Sequence, residues 1–176
     1  MPDLRSLNVL LVDDNQHMRM ITATILHSAG IRSIREMPDG AAALTALREG
    51  VCDLAIVDFN MFPLDGVEFT RLVRNSPDSP NPYLPIIMLT GHSEKNRVME
   101  ARDAGVTEFV TKPITAKALF DRIQAVIFRP RAYVKTEGYF GPDRRRTSPA
   151  DYVGPKRRRA DQVEASPPGG AGASAA

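Results

Sequence analysis

The stretch LAIVDFNMFPLDG, residues 54–66, contains four apolar residues in a row and then Asp58. An apolar run of this length that ends at polar and turn residues is typical of a β-strand. Because the run does not alternate with polar residues, it predicts a strand that is buried on both faces, as in a parallel sheet. An acidic residue directly after such a strand marks the edge where ligands collect in open parallel sheets.

Outward from this stretch, further strand-like runs occur at residues 7–12, 85–89 and 107–110, with a weaker one at 33–37. Segments with helical spacing of apolar residues separate them, and the segment 94–104 has the weakest apolar stripe. The order βαβαβαβαβα predicts an α/β fold with a doubly wound, five-stranded parallel sheet. We expect N-caps at Asp39, Ser93 and Thr115, and C-terminal stops at Gly30, Gly50 and Gly105.

Composition divides the chain into a domain over residues 1–128 and a tail over residues 129–176. Residues 1–128 contain 13 Lys/Arg and 16 Asp/Glu, whereas residues 129–176 contain 10 and 5. The tail loses the apolar periodicity and is rich in Pro, Gly, Arg and Ser, so we expect a disordered basic extension. It contains a short repeat, YFGPDRRR at 139–146 and YVGPKRRR at 152–159.

Cellular location is predicted from two further features of the sequence. Cys52 is the single cysteine, so no internal disulfide can form, and a reducing compartment is expected. No apolar stretch approaches the ~18 residues of a membrane span, and the first residues do not resemble a signal peptide. We therefore expect a cytoplasmic protein without a membrane partner.

Polar residues directly follow four of the predicted strands. These residues are Asp13, Asp14, Asp58, Thr90 and Lys112. Singly, each has an ordinary explanation: the Asp13-Asp14 pair precedes a helix and is better explained as a cap, and the others can be solvated residues at strand ends. Together, the fold would bring them to one edge of the sheet.

Gathered at one edge, these groups predict phosphoryl transfer to a carboxylate. Three neighbouring carboxylates repel one another and favour a divalent cation, and Mg²⁺ prefers carboxylate and water oxygens. One carboxylate can then act as nucleophile, while the metal and Lys112 neutralise charge on the phosphoryl oxygens. The Thr90 hydroxyl can bond a phosphoryl oxygen only after its arrival, which would make a switch.

At this point the sequence resembles the response-regulator receiver domains typified by the chemotaxis regulator. The resemblance covers about residues 6–128 and rests on VDDN at 12–15, VDFNMFPLDG at 57–66, MLTG at 88–91 and FVTKP at 109–113. The resemblance implies a flavodoxin-like fold with strand order 2-1-3-4-5, which is the order found in the chemotaxis regulator. It also implies a single-domain receiver with a basic C-terminal tail.

The resemblance implies a role for each matching residue. Asp58 resembles the phosphorylated aspartate, and Lys112 resembles the lysine that contacts the phosphoryl group, with a cis bond to Pro113. The implied Mg²⁺ ligands are Asp14, Asp58 and the backbone carbonyl of Asn60, with Asp13 acting through water. Thr90 and Phe109 resemble the switch pair, although Phe109 is also explained by core packing. His92 can orient or hinder the attacking water, or be an exposed loop residue.

The sequence leaves two outputs open, and it also allows a third role, in which the basic tail docks on an acidic protein partner or on the acidic edge of its own domain. In the leading hypothesis the domain receives its phosphoryl group from a histidine kinase or a phosphotransfer protein. It would then contact a downstream protein through the fourth helix, fifth strand and fifth helix. In the alternative, the Arg144–Arg146 and Lys156–Arg159 runs, with Tyr139, Phe140 and Tyr152, bind nucleic acid. No motif of a conventional enzyme occurs, so we expect catalysis only of its own phosphorylation and dephosphorylation.

Overall fold

The structure is a computed structural model that describes residues 3–144 and 164–165, with the backbone alone for residues 92–94 and 164–165. The strands are β1 (Asn8–Val12), β2 (Ser33–Met37), β3 (Leu54–Asp58), β4 (Ile86–Thr90), β5 (Glu108–Thr111), β6 (Tyr133–Thr136), β7 (Tyr139–Pro142) and β8 (Glu164–Ala165). The α-helices are α1 (Gln16–Ser28), α2 (Gly40–Glu49), α3 (Gly66–Asn75), α4 (Val98–Ala104) and α5 (Ala116–Phe128). Short 3₁₀ helices span Leu4–Ser6 and His92–Arg97.

The first five strands form one parallel sheet in the order β2-β1-β3-β4-β5, as predicted. Alternate residues of β1 enter different cores: Val9 and Leu11 pack with Leu26 of α1, whereas Leu10 and Val12 pack with Phe69 of α3. Every residue of β3 and β4 is buried. The uninterrupted apolar runs therefore reflect helices on both faces of the sheet.

The predicted helix ends are confirmed in most places. The side chain of Asp39 accepts a hydrogen bond from Ala42 N, and that of Thr115 accepts one from Ala118 N. Gly105 ends α4 with φ +106, a left-handed conformation that suits glycine. The expected cap at Ser93 is wrong, because the 3₁₀ helix begins at His92 and α4 only at Val98.

The expectation of a disordered extension from residue 129 is wrong for residues 133–142. Strands β6 and β7 form an antiparallel hairpin, and β8 pairs with the other edge of β6. Residues 145–163 and 166–176, which include the second copy of the repeat, lie outside the described residues. Among the described residues, no helix reaches the length and apolarity of a membrane-spanning segment.

Burial of Tyr133 explains why the hairpin docks on the domain. Tyr133 is 3% exposed, and its ring makes an edge contact with Tyr83, at 5.2 Å between centroids, and a tilted contact with Phe140, at 5.9 Å. It also covers the buried guanidinium of Arg74, which donates to the carbonyls of Pro82 and Gly105. A few aromatic contacts, rather than a long apolar stripe, thus attach the extension to the domain.

We predict that Tyr133→Ala lowers the free energy of unfolding by about 3 kcal/mol, because it leaves a cavity between Tyr83, Phe140 and Arg74. Lys135→Ala is the matched control, since Lys135 lies two residues along the same strand and is exposed. It should change stability by less than about 0.5 kcal/mol. Urea denaturation measures both values, and equal stability of the two variants would contradict the docked hairpin.

Candidate functional site

Four neighbouring strands bring the predicted residues to one edge of the sheet. Asp13 directly follows β1, Asp58 ends β3, Thr90 ends β4, and Lys112 directly follows β5. The backbone N–H of Lys112 donates to the carbonyl of Thr90 at 2.7 Å. Thr90 also lies opposite Thr111 in the register of β4 and β5.

Three carboxylates meet at this edge. Oxygens of Asp13, Asp14 and Asp58 all lie within 4.8 Å of one another. Asp13 is 1% exposed and Asp58 is 4% exposed, whereas Asp14 faces solvent. Such a cluster brings negative charges together in a place with little water to screen them.

The ordinary explanation of the acid pair as helix caps is not what the structure shows. Asn15 is the N-cap of α1, and its side chain accepts a hydrogen bond from Met18 N at 3.1 Å. Asp13 Oδ1 accepts from Asn15 N at 2.9 Å, which orients the carboxylate. Its other oxygen, Oδ2, is buried and has no hydrogen-bond partner among the described residues. A buried carboxylate oxygen without a hydrogen-bond partner is suited to bind a cation held between the three carboxylates.

Lys112 provides the positive charge closest to Asp58. Its Nζ lies 2.5 Å from Asp58 Oδ1. Burial raises the pKa of the Asp58 carboxyl to about 6, the Lys112 hydrogen bond opposes that rise, and the negative charge of Asp13 adds to it. Burial likewise raises the pKa of Asp13. The ammonium group therefore offsets only part of the cost of keeping these carboxylates charged.

The other predicted residues surround this cluster. Thr90 is buried at the end of β4, and Phe109 of β5 is partly buried beside a small core that includes Met88 and Ala101. Asn60 is exposed in the loop after β3, and the prediction that its carbonyl binds metal stays a prediction. The side chain of His92 lies outside the described residues. The Lys112–Pro113 peptide is cis, as predicted.

Sequence reasoning missed two residues that shape the loop after Asp58. A Cβ atom on Gly66 would lie 2.5 Å from the Asp58 carbonyl oxygen, so α3 can begin there only with glycine. The Arg97 guanidinium lies 4.8 Å above the Phe59 ring and contacts Asp65 Oδ2 at 3.3 Å. The Asp-Gly pair at 65–66 was a sequence signal for Gly66, whereas the contact of Arg97 depends on tertiary packing.

With this geometry in place, comparison with known proteins shows the family. The family model of the response regulator receiver domain matches residues 9–124, and the chain belongs to that family. Phosphorelay signalling through phosphorylation is the function of such receivers, and the sequence-based prediction of a two-component receiver is confirmed. The matched residues include the whole acid cluster and Lys112.

Individual relatives agree with this assignment. Chemotaxis protein CheY of Pseudomonas aeruginosa is 34% identical over 123 residues, which cover 70% of this chain and 98% of that protein. The solved structure of CheY4 of Vibrio cholerae is 30% identical, with a TM-score of 0.63, and the match covers 69% of this chain and 98% of that one.

A third comparison concerns magnesium. The receiver domain of the sensor histidine kinase PA1611 of Pseudomonas aeruginosa was solved with a magnesium ion coordinated in its active site cleft. It is 27% identical, with a TM-score of 0.60, and the match covers 67% of this chain and 94% of that domain. Receivers of this family typically bind Mg²⁺ at an acidic site, and this chain has an acidic cluster of that kind.

We predict that Asp58 makes the magnesium-free protein less stable as the pH rises. Its raised pKa means that the folded protein binds the proton more tightly, so the stabilisation present below pH 4 is lost as the pH passes through about 6. Asp58→Asn has no such proton. The free energy of unfolding of Asp58→Asn minus that of the natural protein should therefore be about 2 kcal/mol larger at pH 7.5 than at pH 4.5.

Urea denaturation in the presence of a chelator measures this difference at the two pH values. Added Mg²⁺ should reduce it, since a cation offsets the charge of the buried carboxylates. A difference between Asp58→Asn and the natural protein that does not change with pH would contradict the prediction.

Proposed function

We propose that Asp58 is the phosphoryl acceptor of this receiver, with Asp13, Asp14, Asp58 and the Asn60 carbonyl holding Mg²⁺. The observation that carries the proposal is the buried Asp58 carboxylate, which lies in one cluster with two other acids and 2.5 Å from Lys112. The orphaned Oδ2 of Asp13 supports a cation at that place. When bound, Mg²⁺ would coordinate phosphoryl oxygens and neutralise the charge that develops on them.

The chemical step uses groups that the fold already positions. A carboxylate oxygen of Asp58 attacks phosphorus and forms an O–P bond, while the P–N bond of a phosphohistidine donor breaks. The leaving imidazole nitrogen keeps the electron pair and can take a proton from solvent. The Lys112 ammonium group would stabilise the negative oxygens, because its Nζ lies beside the nucleophilic carboxylate.

The new phosphoryl group would change the environment of Thr90. This hydroxyl is at the end of the strand next to β3, and it can donate to a phosphoryl oxygen only in the modified state. Phe109 borders the same region from β5 and would follow the movement of Thr90. We propose this pair as the switch, and His92 as a residue that modulates the attacking water.

The protein is therefore proposed to catalyse only its own phosphorylation and dephosphorylation. Receivers of response regulators interact with histidine kinases and with downstream targets. For this chain we propose a histidine kinase or phosphotransfer protein as donor and a protein target read by α4, β5 and α5. We keep a cytoplasmic location within the proposal, because the single Cys52 suits a reducing compartment.

Binding of nucleic acid through the tail receives no support from the described part of the extension. Arg144 lies 4.0 Å above the Tyr139 ring and pairs with Asp103 at 2.9 Å. Phe140 packs against Tyr83 at 5.3 Å between ring centroids. These side chains are thus engaged within the protein rather than presented to bases, and the second basic run lies outside the described residues.

We predict that acetyl phosphate with Mg²⁺ adds one phosphoryl mass to the natural protein and none to Asp58→Asn. The amide cannot act as the nucleophile, whereas Asp121→Asn, an exposed acid paired with Lys117, is a control that should be modified normally. Intact-mass spectrometry followed by peptide mapping measures the result. A chelator should also abolish the modification. Phosphorylation of Asp58→Asn at the natural level would reject Asp58 as the acceptor.

A protein donor must bring its phosphohistidine to Asp58, so it must contact the rim of the site. Phe62, four residues after Asp58, is 83% exposed despite its large apolar side chain. Exposed aromatic residues of this kind are common anchors of protein interfaces. We propose that Phe62 contacts the donor protein while taking no part in the chemical step.

We predict that Phe62→Ser slows phosphorylation by a phosphorylated histidine phosphotransfer protein about tenfold, as the loss of an aromatic anchor would. Modification by acetyl phosphate should not change, because a small donor needs no docking surface. Val51→Ser is the matched control, since Val51 is also exposed but precedes β3 at its far end. Equal slowing with both donors would instead indicate damage to the site itself.

A further inference from the structure

The hairpin of β6 and β7 lies directly against the C-terminal end of α4. A Cβ atom on Gly141 would lie 2.9 Å from the Gly105 Cα, and one on Gly105 would lie 2.9 Å from the Phe140 carbonyl oxygen. Arg144 Nη1 also pairs with Asp103 Oδ1 of α4 at 2.9 Å. The two backbones thus touch at a pair of glycines, and an ion pair joins them beside that contact.

Two arginines extend this attachment to the start of β5. Arg131 donates to the carbonyl of Thr107 and pairs with Glu108 at 2.9 Å. Arg74 Nε and Nη2 donate to the Gly105 carbonyl at 3.1 and 2.9 Å, beneath the Tyr133 ring. The extension, together with Arg74 of α3, therefore fixes the end of α4 relative to the strand that follows it.

Apart from the hairpin, α4 is attached to its neighbours by small side chains and by partly exposed ion pairs of Glu100 with Arg71 and Arg97, at 3.5 and 3.1 Å, which contribute little to stability. Its buried residues are Ala101 and Ala104, whose small side chains provide little contact area. They pack on the core that also contains Met88 and borders Phe109. At seven residues, α4 is about 10 Å long, so a shift at its start is carried as a rigid body to its end.

The start of α4 is connected directly to the proposed switch. Thr90 ends β4, and only Gly91 and the 3₁₀ helix His92–Arg97 separate it from Val98. Neither of these two helices has a side-chain hydrogen bond at its N-cap. A movement of Thr90 toward Asp58 would therefore pull on α4, and the hairpin would oppose that pull at the other end.

We propose that residues 131–144 are an internal reader of the phosphorylation state, which holds α4 in the position of the unmodified protein and loosens when Asp58 is phosphorylated. The inference rests on the proposed function of Asp58. The partner of the α4 end is thus a segment of the same chain. Because coupling between two sites is reciprocal, loosening the hairpin must also favour the phosphorylated conformation.

Gly141→Ala in the full chain tests this coupling, because its Cβ would meet Tyr139 Oη at 2.6 Å and Gly105 Cα at 2.9 Å. Gly138→Ala is the matched control, since a Cβ there meets nothing within 4 Å. Beryllofluoride with Mg²⁺ serves as a non-covalent phosphoryl mimic, titrated by NMR. Gly141→Ala should bind it about fivefold more tightly, and Gly138→Ala should match the natural protein. Equal affinity in all three proteins would overturn the inference.

A milder variant provides the test if Gly141→Ala does not fold. Arg144→Gln removes the surface pair with Asp103 and should shift the affinity in the same direction by about twofold, since exposed ion pairs contribute little. If Gly141→Ala does not fold, an unchanged affinity in Arg144→Gln overturns the inference.

The amide signal of Gly141 in the natural protein gives a direct readout. After treatment with acetyl phosphate and Mg²⁺, it should shift, and hydrogen exchange over residues 133–142 should accelerate. Intact mass is measured on the same sample. A modified Asp58 with an unchanged Gly141 signal would reject the reader while leaving the acceptor in place. Absence of the phosphoryl mass would reject the proposed function itself.

Discussion

The pairing of a buried carboxylate with one ammonium group is the constraint on which this structure depends. Asp58 and Asp13 are almost fully removed from water, and Lys112 brings a positive charge to 2.5 Å from Asp58 Oδ1. Three carboxylates outnumber the two nearby cationic side chains, Lys112 and Arg19, so the described site keeps excess negative charge and favours a cation. A fold that only needed stability would have no reason to keep this cluster.

Much of the site could be predicted because the fold follows from short-range patterns. The uninterrupted apolar runs predict parallel strands, and the carboxyl ends of such strands share one edge. Asp58, Thr90 and Lys112 had to meet once the strand order was known. The caps at Asp39 and Thr115 were equally readable, because a cap depends only on the next three residues.

What could not be predicted depends on contacts between distant residues. The extension has too little periodicity to form a core of its own, and its composition resembles that of a disordered segment. Its docking depends on contacts of Tyr133 with Arg74 and Tyr83, which lie 59 and 50 residues earlier in the chain. Ser93 failed as a cap for a related reason, because α4 begins five residues later, after a 3₁₀ helix that has no side-chain cap.

The edge of the sheet that carries the acid cluster is connected to the opposite edge, where the hairpin lies, through β4 and β5. Strands β4 and β5 end at the acid cluster and begin beside the hairpin, where Arg131 and Arg74 contact residues 105–108. Close-packed elements transmit displacement rather than absorb it, since few voids exist to take up a shift. Gly105 and Gly141 have no side chains, so their backbones are in direct contact and no flexible side chain between them can absorb a displacement. Backbone packing and the Arg144–Asp103 ion pair therefore tie the extension to α4, which follows Thr90 after the 3₁₀ helix His92–Arg97.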